Sequence, residues 1–221
     1  MSVRCTPKPP SAMPRPRSLT LPGIADAALT VIEREGLAAL SMRSVASVLG
    51  MGTMSLYRYV EGRDALESLV VDAVMRDVRL PESVEGTPWT ERVKTLLGQV
   101  RGAVARHPSV APLVLTRRHC TEGTLAWAEA LLALLTEGGF EDLARLIALR
   151  TLVSHVFGSV QLTHLGALSG AGTAALTELD AARYPLLRQT AGDARRLTHD
   201  EEFRHGLDVL LRGLEATLAH R

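Results

Sequence analysis

Residues 40–60 constrain the fold more than any other part of the chain, because their pattern predicts two short helices joined by a tight turn. Ser41 suits the N-cap of the first helix and Thr53 that of the second, since a hydroxyl there accepts a hydrogen bond from the first backbone N–H groups. Gly50 suits the left-handed residue that ends a helix, and Gly52 keeps the connection short. Apolar side chains at helical spacing are predicted to point inward: Val45, Ala46, Leu49, Leu56 and Val60. The segment therefore predicts a helix-turn-helix.

The outward face of the second predicted helix carries side chains suited to a nucleic-acid groove. It combines hydroxyls, an arginine and two tyrosines within a short stretch: Thr53, Met54, Ser55, Tyr57, Arg58 and Tyr59. Such groups hydrogen-bond to phosphates and to base edges. The segment is therefore predicted to bind DNA.

The same segment resembles the DNA-binding part of the tetracycline-repressor (TetR) family of transcriptional regulators. In that family a helix ends in Leu-Gly-x-x-x-x-Ser/Thr-Leu-Tyr, followed by an aromatic residue or His, Val, a Gly or Asn turn, and Asp/Ala-Leu. The matching positions are Leu49-Gly50, Ser55-Leu56-Tyr57, Tyr59-Val60, Gly62 and Asp64-Ala65-Leu66, with Ile24, Ala27, Ala28, Gly36 and Leu40 upstream. The match spans about residues 21–72 in fixed register, which makes it much more specific than a bare helix-turn-helix pattern.

The resemblance implies DNA contacts at individual positions. The predicted set is Ser41, Arg43, Thr53, Met54, Ser55, Tyr57, Arg58, Tyr59 and Arg63. The three consecutive residues from Thr53 would face base edges, while the two tyrosines and Arg63 would contact the DNA backbone. Arg43 would reach a base or a phosphate, and Arg58 would favour guanine. Packing of the Tyr57 ring against helix 1 or helix 4 is the alternative for that residue.

Composition and periodicity predict an all-α fold. Aromatic residues make up only 4% of the chain, and no stretch alternates strictly between apolar and polar residues. We expect a disordered basic arm at 1–20, an N-terminal three-helix helix-turn-helix domain at 21–80, and a larger C-terminal domain at 81–221 that helix 4 joins to it. Helices are predicted at 22–35, 63–78, 88–106, 109–115, 121–137, 142–168, 174–190 and 200–220, besides the two short ones.

The charge of the chain is unevenly divided. The net charge is +1, but residues 1–63 hold eight cations and four anions, so they carry +4 and the remainder −3. The arm at 1–20 has cations and prolines without acidic residues, a composition typical of disorder and of segments that lie along phosphates. The asymmetry favours DNA at the N-terminal half. Chance clustering on a solvated surface, and a tail without function, are the alternatives.

In the family, a small molecule enters the C-terminal domain and swings helix 4, which changes the separation of the two DNA-binding heads. Polar and aromatic side chains share one face of the long predicted helix 142–168: Arg150, Ser154, Phe157, Gln161 and His164. Together with Trp127 they form the predicted site for a small hydrophobic or amphipathic effector. Exposure of this face, or its burial between subunits, is the alternative. Tetracycline itself is a poor candidate, because its repressor holds a metal through a histidine whose place falls near Leu113 here.

The last predicted helix carries a wide leucine stripe: Leu207, Leu210, Leu211, Leu214 and Leu218. A stripe this wide suggests a partner as well as a core, so Leu211→Glu is expected to split a dimer. The resemblance implies a homodimer through the C-terminal helices. Two heads related by a two-fold axis would bind a palindromic operator in successive major grooves, about 34 Å apart.

Other classes of function have less support. The chain lacks a Gly-rich phosphate loop, a Gly-x-Ser-x-Gly elbow and metal-binding His spacings, so neither an enzyme nor a cofactor or metal site is predicted. It also lacks a signal peptide and an uninterrupted apolar run of about 18 residues, which predicts a cytoplasmic protein without a membrane partner. A DNA-binding regulator or activator without a small-molecule ligand is the main alternative to a ligand-released repressor.

Overall fold

The computed structural model describes residues 19–81, 86–165 and 170–219. These residues form eleven α-helices and no β-strand, which confirms the all-α prediction. The helices are α1 Leu21–Glu35, α2 Met42–Val48, α3 Thr53–Leu56, α4 Arg63–Met75, α5 Trp89–Ala105, α6 Ala111–Thr116, α7 Glu122–Glu137, α8 Asp142–Leu165, α9 Ala171–Thr177, α10 Pro185–Ala194 and α11 His199–Ala219. Most of the predicted arm, residues 1–18, lies outside the described residues.

Helices α1 to α4 pack around a small apolar centre. The side chain of Thr20 caps α1 by accepting a hydrogen bond from the backbone N–H of Gly23, and Pro22 lies in the first turn, where a missing N–H costs little. Gly36, with a φ of 84°, ends the helix in a conformation that favours glycine. The largest fully buried side chains of this part are Ile24, Ile32, Leu40, Leu56 and Leu66.

The C-terminal helices surround α5, which packs against α4, α7, α8 and α11. Its inward residues Leu96 and Leu97 are fully buried, as are Leu131 of α7 and Leu152 of α8. The last turns of α4 contribute Val74 and Met75 to the same apolar cluster. One continuous core therefore runs from the helix-turn-helix into the C-terminal helices, with α4 as the shared element.

The prediction of a single helix at 174–190 is wrong. The chain forms two short helices there, α9 and α10, because Pro185 can only begin a helix and Tyr184 before it has φ −132° and ψ 54°. The two helices pack mainly against each other. Residues 170–198, called the α9–α10 hairpin below, carry the exposed apolar side chains Leu176, Tyr184, Leu186, Leu187 and Leu197.

The leucine stripe of α11 faces its own subunit. Leu207 and Leu211 are buried, and Leu214 and Leu218 pack against the same core. Leu211→Glu would place a charge in the core of the chain itself, so this substitution does not test the predicted dimer. Instead, Val209 is the large apolar side chain of α11 that is exposed.

Helix α8 is apolar on an outward face as well as an inward one. By length and composition it is the one helix of the described residues that could cross a membrane, yet it packs on α5, α7 and α11. Only 28% of its most apolar window is buried. Its exposed apolar side chains are Leu143, Leu146, Ile147, Leu162 and Leu165.

Candidate DNA-binding surface and effector site

The turn between α2 and α3 is fixed by local hydrogen bonds. Ser41 and Ser44 form a reciprocal capping box, in which each hydroxyl accepts from the other residue's backbone N–H at 3.1 and 3.0 Å. Gly50 has a φ of 65°, as expected for the residue that ends the helix. The N-cap of α3 is Gly52 rather than the predicted Thr53, which is the first residue of the helix. The hydroxyl of Ser41 therefore caps α2, as predicted. The hydroxyl of Thr53 does not cap α3.

The other predicted DNA contacts are all exposed or partly buried. Met54 is 79% exposed, and the tyrosine rings at 57 and 59 are about half exposed. Arg43 and Arg58 are exposed, and within the described part of the chain neither forms an ion pair. Val45, Ala46, Leu56 and Val60 are buried, as their spacing predicts. Thr53 and Ser55 are partly buried.

Arg63 belongs to a charged cluster that the sequence did not reveal. Its Nε donates to Oε1 of Glu67 at 2.8 Å within the first turns of α4. The other oxygen of Glu67 accepts from Nε and Nη2 of Arg117 at 2.8 and 2.6 Å, and that Nη2 also donates to Asp64 at 2.5 Å. The hydrogen bond from Arg117 to Asp64 and, to a lesser extent, those to Glu67 raise the pKa of the Arg117 guanidinium above its ordinary value. Arg117 ends α6, so the cluster joins α4 to a C-terminal helix.

Further polar contacts tie the two parts of the chain together. Nδ1 of His107, just after α5, lies 2.6 Å from Oε1 of Glu33 in α1. Arg106 pairs with Asp77 at 3.2 Å. These contacts, like the shared core along α4, connect the N-terminal helices to the ends of α5 and α6.

The six residues predicted to bind an effector do not share one cavity. Trp127 and Phe157 are buried in the core, whereas Arg150, Ser154 and His164 are exposed and Gln161 is partly exposed. Trp127 is only 6% exposed, and its indole N–H has no hydrogen-bond partner among the described residues. A buried indole N–H usually has a partner, so this one is available to a polar group that enters beside it.

Two cavities flank the C-terminal half of α8. One, of about 330 Å³, lies between α8 and α11 and is lined by Ser154, His155, Gly158, Ser159, Leu162, Thr163, His199, Glu202 and Phe203. The other, of about 300 Å³, lies between α5 and α8 and is lined by Arg101, Ala105, Pro108, Val160, Thr163 and His164. Ser154 thus belongs to the first and His164 to the second. The sequence does give a sign of Arg101, because this arginine lies among the apolar positions of α5. No group of side chains suited to a metal ion occurs among the described residues.

Comparison with known proteins places this architecture among transcriptional regulators. A family model described as the tetracycline-repressor-like C-terminal domain matches residues 80–218. The HTH-type transcriptional repressor DrrR1 of Streptomyces coeruleorubidus is 30% identical over 225 residues, covering 96% of this chain and 83% of the relative. The class D tetracycline repressor protein of Escherichia coli is 30% identical, with 88% of each chain covered.

Solved structures give the same result. The TetR family protein ActR of Streptomyces coelicolor, in complex with (S)-DNPA, is 31% identical and has a TM-score of 0.76. The similarity covers 91% of this chain and 99% of that one. A second structure of ActR holds actinorhodin, with 31% identity, a TM-score of 0.74 and the same coverage.

Proposed function

The chain belongs to the TetR family of transcriptional regulators, and we propose that it is a repressor that binds a palindromic operator as a homodimer and is released by a small molecule. Residues 21–80 would bind the DNA, and residues 81–221 would dimerise and hold the effector. Repression of this kind takes place in the cytoplasm. The proposal rests chiefly on the DNA-facing surface, defined as Arg43, Thr53, Met54, Ser55, Tyr57, Arg58, Tyr59 and Arg63.

The exposure of this surface supports a role in DNA binding. Met54, Tyr57 and Tyr59 bring three large exposed side chains into one short stretch, and such clusters are typical of surfaces that bind a partner. The unpaired guanidinium groups of Arg43 and Arg58 suit phosphates or guanine. The capping box fixes the start of α2, and the buried Leu56 and Val60 anchor α3 and the turn after it, so these groups are presented in one geometry.

The outward apolar face of α8 supports a homodimer. Leu143, Ile147 and Leu165 lie four or more residues apart on one stripe of the helix, and each is more than half exposed. Val209 of the neighbouring α11 is also exposed. A second copy of the same face, related by a two-fold axis, would cover this surface in a self-complementary way. Arg150, Ser154 and Gln161 lie along the same stripe, which favours their burial between subunits over a role in the effector site.

Of the two cavities beside α8, the one between α5 and α8 is a better candidate for the effector site than the one between α8 and α11. Arg101 and His164 offer polar groups there, and Val160 offers an apolar wall. Nη1 of Arg101 pairs with Asp200, but its buried Nε has no partner among the described residues. Pro108 at its edge is next to His107, whose contact with Glu33 leads to α1. A ligand at this place would therefore press on a direct link to the DNA-facing helices. The complexes of ActR with (S)-DNPA and actinorhodin support a small molecule as the effector.

Footprinting and a gel-shift titration test the proposal. We expect protection of two inverted half-sites about one helical turn apart in the DNA upstream of the protein's own gene. Adding actinorhodin or (S)-DNPA to the complex should release the DNA, with tetracycline and Mg²⁺ as the comparison. Absence of any protected palindrome would contradict the repressor assignment. Protection that no small molecule reverses would favour a regulator without an effector.

A further inference from the structure

A single carboxylate, that of Glu67, lies between two guanidinium groups at the start of α4. Its side chain is only 10% exposed, and its two oxygens accept from Arg63 and Arg117 respectively. Arg63 uses only Nε in this contact, its side chain is 52% exposed, and its two Nη groups form no hydrogen bond among the described residues. Arg63 is thus anchored at one end and open to a phosphate at the other.

Arg117 determines the charge of this cluster. With Arg117 in place, two cations and two anions balance: Arg63, Asp64, Glu67 and Arg117. Without it, two carboxylates would remain beside one arginine, and the first turn of α4 would be net negative. A negative charge here lies next to the DNA-facing surface and would repel the operator. The unbalanced carboxylates would also attract the open Nη groups of Arg63.

We propose that Arg117 is a positioning residue for DNA binding, which neutralises Asp64 and Glu67 so that Arg63 can bind an operator phosphate. This inference rests on the proposed function. Arg117 lies at the end of α6, more than fifty residues from the helix-turn-helix, and it would touch no DNA itself. Its effect is electrostatic, through the carboxylates that it occupies.

The matched control for Arg117 is its neighbour Arg118. Arg118 has the same charge and is exposed, and it donates only to the backbone oxygen of Leu115 at 2.9 Å. The variants Arg117→Gln and Arg118→Gln therefore change the net charge equally and differ only in the cluster. Operator affinity is measured for each by gel shift at several salt concentrations, with thermal unfolding as the check on folding.

For Arg117→Gln we expect at least a tenfold loss of operator affinity. The slope of log affinity against log salt should become shallower by about 0.9, the value of one phosphate contact. Arg118→Gln should stay within about twofold of the unaltered protein, since Arg118 is exposed to solvent screening and pairs with neither carboxylate of the cluster. Removing the unbalanced carboxylate in the double variant Arg117→Gln, Glu67→Gln should restore both affinity and slope. If Arg117→Gln does not fold, Arg117→Lys keeps the positive charge although it loses the paired hydrogen bonds to Glu67. It should bind within about threefold of the unaltered protein, because the inferred effect depends on charge.

Other results would overturn either the inference about Arg117 alone or the proposed function as well. Equal affinities of Arg117→Gln and Arg118→Gln would overturn the inference while leaving the proposed function intact. Loss of binding that Glu67→Gln does not repair, or a weak Arg117→Lys, would assign Arg117 a purely structural role and also overturn it. Absence of operator binding by the unaltered protein would overturn the proposed function, and the inference with it.

Discussion

The imidazole ring of His155 stacks on the ring of Phe203, with centroids 5.0 Å apart and planes inclined by 10°. Nε2 of the same imidazole lies 3.0 Å from the backbone oxygen of Phe203. The guanidinium carbon of Arg101 also lies over the Phe203 ring, 4.8 Å from its centroid. This stack joins α5, α8 and α11, and a missing side chain makes it possible: a Cβ at Gly206 would come within 2.7 Å of the imidazole.

Gly206→Ala should therefore destabilise the protein by about 1–3 kcal/mol, since the imidazole cannot move without losing its stack and its hydrogen bond. Urea unfolding gives the difference in free energy. The control is Gly98→Ala in α5, where an added Cβ meets nothing within 4 Å and replacement of a helical glycine should stabilise by about 0.5–1 kcal/mol. Equal effects of the two substitutions would contradict the close packing at Gly206.

Tyr57→Ala and Arg43→Ala should each weaken operator binding by at least tenfold, about 1.4 kcal/mol, because both side chains project from the DNA-facing surface. A gel-shift titration measures the affinity, and sedimentation checks that assembly is unchanged. Arg188→Ala removes an exposed arginine of α10, outside that surface, and should bind DNA normally. Unchanged affinity in the first two variants would rule out their assignment.

Ile147→Glu should convert the proposed dimer to monomers, because it places a charge on the outward apolar face of α8. Leu125→Glu in α7 is a close control: both parent side chains are 53% exposed, so the cost to the monomer fold should be similar. Sedimentation velocity distinguishes the two states. Dimers of Ile147→Glu as stable as those of Leu125→Glu would exclude this face as the interface.

Asp208→Asn should destabilise the protein at neutral pH but not in acid. The hydrogen bond with Lys94 at 2.6 Å lowers the pKa of the Asp208 carboxyl below its ordinary 3.8. A lowered pKa means that the stabilisation is present above this ordinary value and is lost as the pH falls through the folded-state pKa. The difference in unfolding free energy between the two proteins should therefore be full at about pH 6 and shrink as the pH falls below 3.8. Asp26→Asn, at an exposed position on α1, controls for loss of a charge, and a difference for Asp208→Asn that does not shrink in acid would contradict the ion pair.

The helix-turn-helix could be predicted because its determinants are local. The capping serine at 41, the left-handed Gly50 and the inward apolar residues all act within a few positions of one another, so their spacing carries the structure. The break between α9 and α10 before Pro185 is equally local. The apolar spacing nevertheless predicts one helix there, because it continues on both sides of the break. The same sequence could show that α11 has an apolar stripe but not what that stripe covers.

The charged cluster at α4 could not be predicted. Fifty residues separate Arg117 from Glu67, and nothing in either sequence neighbourhood marks them as partners. Their meeting depends on where α6 ends relative to α4, which is a property of the whole bundle. The same is true of the effector site: Ser154 and His164 lie on one helix face by spacing, yet neighbouring helices divide them between two cavities.

The α9–α10 hairpin has a practical consequence for the way the chain can be handled. Its segment at 178–184 is largely exposed, and it connects two helices that pack mainly against each other. A protease should therefore cut there before it cuts elsewhere in the described helices. The two fragments should stay together, because α11 remains attached to α5 and α8 through Leu207, Leu211 and the Phe203 stack. The gene could then be split at this point and its halves expressed separately, so that transcriptional control would depend on the presence of both.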